Sequence, residues 1–94
     1  MSAIHVTNAN FEKEILHSDK PVLLDFWAPW FGPCRMVGPV LEEIASSQTD
    51  IKVGKIHVDE EPALAARFRI MSIPNLLVSK YGKLTHRQLV TLPN

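Results

Sequence analysis

Ninety-four residues, 46% of them apolar, are enough to fill one hydrophobic core and too few for two, so residues 1–94 are expected to form a single domain. Ten basic and ten acidic side chains cancel, which removes the long-range field that would draw the chain to nucleic acid or an anionic membrane. A single cysteine excludes an internal disulfide and fits a reducing compartment, and no apolar run reaches membrane-spanning length.

The opening Met1-Ser2-Ala3-Ile4-His5-Val6 lacks the positive and apolar regions of a secretory signal, so the expected setting is cytoplasmic. Ile4 and Val6 alternate with polar neighbours as in a short strand. Thr7 or Asn8 is placed to cap a helix to about Ser18, although no capping box completes the signal. Phe11, Ile15 and Leu16 form its apolar stripe, and Asp19-Lys20-Pro21 turns the chain.

Val22 to Trp27 is almost continuously apolar, the pattern of a central strand buried on both faces, and Asp25 is the anomaly within it. A helix follows the turn at 28–33, with Met36, Val37, Val40, Leu41, Ile44 and Ala45 as its apolar positions and a kink expected at Pro39. Ile51, Val53, Ile56 and Val58 suggest a third strand. Asp59-Glu60-Glu61-Pro62 has the acids and the proline of a helix start, with Leu64 and Phe68 on the buried side. Ser72-Ile73-Pro74 reads as an extended turn before a fourth strand at 76–78. A hairpin through Lys80-Tyr81-Gly82-Lys83 then leads to a fifth strand from Leu84 to about Leu92. Strands alternating with helices, then a terminal hairpin, predict an α/β sandwich of mixed strand direction with helices on both faces.

The stretch Trp27-Ala28-Pro29-Trp30-Phe31-Gly32-Pro33-Cys34-Arg35 carries the most information. With cysteine at position 31 it would read W-A-P-W-C-G-P-C-R, the active-site signature of the thioredoxin family. Leu24-Asp25-Phe26-Trp27, Val58-Asp59-Glu60, Ile73-Pro74 and Gly82-Lys83 also resemble that family, and the likeness runs from about Ile4 to Pro93. It implies a three-layer thioredoxin-like fold with a mixed five-stranded sheet. The terminal helix that the family adds after the fifth strand is expected to be absent. An uncovered sheet face would then favour association, for example as a homodimer, or reduced stability.

In function, the resemblance implies a protein-disulfide oxidoreductase, a reductase serving cell redox homeostasis. Its partners would be proteins bound as extended peptides and thioredoxin reductase, with no cofactor. In the family the first cysteine attacks a target disulfide and the second resolves the mixed disulfide. Here Phe31 stands at the attacking position and Cys34 at the resolving one, so exchange within this chain is expected to be abolished, because a disulfide needs two sulfurs. Asp25 would be the family's proton acceptor beneath Cys34, with Lys55 as a neighbour. Trp30, Gly32, Pro33, Ile73 and Pro74 would line the peptide groove, with the Ile73–Pro74 bond cis. Val90, where the family commonly has glycine, would crowd that groove.

Two readings of Cys34 stand. Near a helix start and beside Arg35 it could be a reactive thiolate, forming glutathione adducts or a covalent dimer; under Trp30 and Phe31 it would be a small inert hydrophobe. A non-catalytic binding or scaffold protein is the further alternative. Trp27 and Trp30 have no interleaved basic residues, against a nucleic-acid platform. His5, His17, His57 and His86 lack ligand spacing, against a metal site.

Overall fold

In the computed structural model the described residues are 3–80 and 83–89, the side chains of Pro33 and of 84–89 excepted. In chain order they form β1 (Ile4–His5), a π-helical turn (Glu12–Leu16), β2 (Val22–Trp27), α1 (Gly32–Ser47), β3 (Lys52–His57), α2 (Pro62–Arg67), β4 (Asn75–Lys80) and β5 (Lys83–Leu89). The strands lie side by side as β1-β3-β2-β4-β5. β1, β3 and β2 run parallel, and β4 is antiparallel to both β2 and β5. The expected turn at Tyr81-Gly82, the end of the fifth strand near Leu92, Val90 and the question of a terminal helix all lie outside the described residues.

Successive side chains of a strand point to opposite faces, and this divides the core in two. Leu24, Phe26, Ile56 and Leu77 pack with Phe11 and Ile15 of the N-terminal segment and with Leu64 of α2. Leu23, Val53 and Leu76 pack with Val37, Leu41 and Ala45 of α1. Helical segments therefore cover both faces, and β2, central and apolar on both sides, belongs to both clusters.

Two expectations need correction. The N-terminal segment is a π-helical turn rather than an α-helix from Thr7 or Asn8, and its His17 N–H reaches back to the Glu12 carbonyl. An i→i+5 ladder suits apolar residues at 11, 15 and 16, because it brings Phe11 and Leu16 to one side. A reciprocal pair does exist before it: the Thr7 N–H donates to Asn10 Oδ1 at 2.8 Å and the Asn10 N–H to Thr7 Oγ1 at 3.4 Å, asparagine doing what Glu or Gln does in a capping box. On α1, Met36 (67% exposed) and Val40 (54%) face outward. The buried arc of a helix is only about 100° wide, and Val37, Leu41, Ile44 and Ala45 already fill it. α1 runs from Gly32 to Ser47 with Pro39 inside it, as the sequence places it.

The exit from α2 positions the loop that follows. Arg69 adopts φ 55°, while its N–H bonds the Ala66 carbonyl (3.0 Å) and the Ile70 N–H bonds that of Ala65 (2.9 Å). This is the paired closure in which a left-handed residue stops a helix. It sends Ile70 back onto the core and leads the chain into 71–74.

Candidate functional site

The site forms where β2 ends and α1 begins. Phe31 is the residue before the helix, extended at φ −100° and ψ 114°, and Pro33 sits in the first turn, where a missing N–H costs nothing. The Phe31 N–H bonds the Ala28 carbonyl (3.3 Å) and the Cys34 N–H bonds the Phe31 carbonyl (3.1 Å), so the backbone folds tightly around position 31. The Phe31 ring stacks on Trp30, with centroids 6.0 Å apart and planes at 29°. Trp30 is 68% exposed, and its indole N–H donates to the Asp59 carboxylate. A Cβ added at Gly32 would meet nothing within 4 Å, so this side of the turn is open.

Cys34 lies beneath this surface, only 2% exposed. Burial pushes its thiol up; a backbone hydrogen bond from Ala28 and the Lys55 charge act against the rise, and the Asp25 carboxylate adds to it. A protonated buried thiol is a poor nucleophile, since the thiolate is the reacting species.

Asp25 sits in β2 directly across from Lys55 of β3, fully buried. Among the described residues neither of its oxygens has a hydrogen-bond partner. Burial raises its carboxyl to about 6, and Lys55 pulls in the opposite direction. The ammonium is shared, because Lys55 Nζ lies 4.4 Å from the centre of the Trp27 ring. His57 meets the same ring edge-on at 5.0 Å.

Beside Trp30 runs a groove of about 200 Å³, lined also by Val58, Ala65, Ile70, Met71, Ser72 and Ile73. None of these side chains is charged. The Ile73–Pro74 peptide is cis. Of the expected groove residues, Trp30 and Ile73 come together here, while Pro74 is buried below and Gly32 lies apart from the lining. The Pro33 side chain is outside the described part. Sequence reasoning missed Val58, Ala65, Ile70 and Met71 as groove residues, and Asp59 as the partner of Trp30. Ile70 and Met71 follow the α2 stop, so only the φ of Arg69, which the sequence does not announce, brings them here. Among the described residues no group of three His, Cys, Asp or Glu side chains is placed to hold a metal ion.

A mixed sheet helix-covered on both faces, a strand-to-helix turn carrying Trp-Phe-Gly-Pro-Cys, and a cis-proline loop meeting that turn across one groove define a thioredoxin fold. The family model for thioredoxin matches residues 2–91, and the chain belongs to the thioredoxin family. Among its relatives, the thioredoxin of Pyropia yezoensis is 51% identical over 84 residues, 88% of this chain and 78% of that protein. Thioredoxin 1 of Synechococcus elongatus is 52% identical over 82 residues (86% and 77%), and the Haemophilus influenzae thioredoxin 45% over 91 (96% and 85%). Among the described residues no helix is long and apolar enough to cross a membrane.

Proposed function

We propose that this protein keeps the partner-binding groove of a thioredoxin and has lost dithiol–disulfide exchange. The observation that carries the reading is Phe31. Exchange begins with a thiolate lone pair attacking a disulfide sulfur and ends when a second thiol displaces the first. Phe31 offers no lone pair at the first position, and the chain's one thiol, Cys34, is buried and pushed toward its protonated form.

Asp25, placed to accept a proton, has no exchange step to serve. An oxidised protein would still be bound as an extended segment, hydrogen-bonded to the backbone at Ile73 and packed on Trp30. A thioredoxin reductase, the partner that membership of the family suggests, would find no internal disulfide to reduce. A cytoplasmic setting fits the free thiol. The reading in which Cys34 acts alone, through glutathione or a covalent dimer, is disfavoured by its burial.

Insulin reduction followed by turbidity tests this. The protein should give no rate above that of the free dithiol, and Phe31→Cys should restore catalytic turnover. Catalysis by the unaltered chain would overturn the proposal. Retention of a captured peptide by Cys34→Ser would show that binding is independent of the thiol.

A further inference from the structure

Methionine is ordinarily a core residue, yet Met71 is 96% exposed while lining the groove beside Trp30. It follows the left-handed Arg69, whose turn sends Ile70 inward and leaves the next side chain outside. We propose that Met71 is a methionine-oxidation site that makes the groove responsive to hydroperoxides. A lone pair on its Sδ attacks the terminal peroxide oxygen, an S–O bond forms and the O–O bond breaks. The sulfur loses two electrons, and the peroxide is reduced to water or an alcohol. The sulfoxide is polar and chiral where the thioether was apolar, and sulfoxide reductases reverse the change.

The effect is local because no other side chain of the lining is a comparable acceptor. The lining has no charged side chain, and its one hydroxyl belongs to Ser72. A sulfoxide oxygen would therefore be a stronger acceptor than any other side chain of the lining. Met36, 67% exposed on α1, is accessible too but does not line the groove, so it serves as an internal control. The loss of a bound peptide on oxidation rests on the functional reading above; the modification and its effect on Trp30 do not.

The test treats the protein with hydrogen peroxide, maps added oxygen by mass spectrometry of peptides, and follows the Trp30 indole N–H resonance by NMR. Met71 should be converted at least as fast as Met36, the Trp30 resonance should move, and a methionine sulfoxide reductase should return it. In Met71→Leu, Met36 should still be oxidised and the Trp30 resonance should stay in place. Met71 remaining reduced while Met36 is converted would overturn the proposal, as would a Trp30 shift that persists in Met71→Leu. Failure of the unoxidised protein to bind any peptide would count against the functional reading alone.

Discussion

A buried carboxylate that makes no hydrogen bond imposes a cost that depends on pH, and among the described residues Asp25 is such a group. In the folded protein it keeps its proton up to a pH of about 6, whereas the unfolded chain releases it near 3.8. Between these values the folded state holds more protons, so stability falls as pH rises and the loss is complete above 6. The gap corresponds to about 3 kcal/mol. Asp25→Asn cannot ionise and should escape the loss: relative to the parent, it should gain about 2 kcal/mol between pH 4 and pH 8 in urea unfolding, a change in the difference that no other titrating group supplies. A constant difference across that range would show that the carboxylate is not desolvated. Asp25 was conspicuous in the sequence because an acid interrupts an apolar strand. Met36 and Val40 were misread for the opposite reason: an apolar residue just outside a helix's buried arc looks in sequence like one just inside it.

At the scale of elements, two glycines carry opposite expectations. A Cβ at Gly54 in β3 would stand 2.8 Å from Val6 Cγ2 and 3.1 Å from Leu24 Cδ2, so the buried Val6 side chain, just past β1, would have to shift. Gly54→Ala should cost about 1–3 kcal/mol, as overpacking does. At Gly38, inside α1, the nearest atom to an added Cβ is Lys55 Nζ at 3.8 Å, an ordinary contact. Gly38→Ala should therefore gain about 0.5–1 kcal/mol from helix propensity. Thermal unfolding of the two variants checks both signs; a stabilised Gly54→Ala would mean that Val6 is not packed against Gly54 as described. The elements themselves were legible: β2 matches its apolar run residue for residue, and Pro62 marks the start of α2. The π-helical turn was not legible, because apolar residues at 11, 15 and 16 fit an α-helical stripe as well as a wider one. The closure at Arg69 was equally hidden, since it uses arginine where glycine is the usual signal.

At the scale of the molecule, the two clusters share one sheet and should therefore share one unfolding transition. Leu23 and Leu24 are neighbours in β2, yet one packs with α1 and the other with the N-terminal segment and α2. Stripping α1 from its face would leave β2 apolar on a wet surface, so neither cluster is expected to outlast the other. Leu41, 1% exposed, is the most buried α1 residue in its cluster. Leu41→Ala should cost about 2–5 kcal/mol, the range for a buried leucine whose surroundings relax only partly. The mark of a shared transition is that Leu41→Ala shifts tryptophan fluorescence and far-ultraviolet circular dichroism by the same amount in urea, as two-state unfolding requires. If the fluorescence moved ahead and left a plateau in the dichroism, the cluster of Phe11, Ile15, Leu24 and Leu64 would be standing without α1, and the sheet would not be the link that the packing describes.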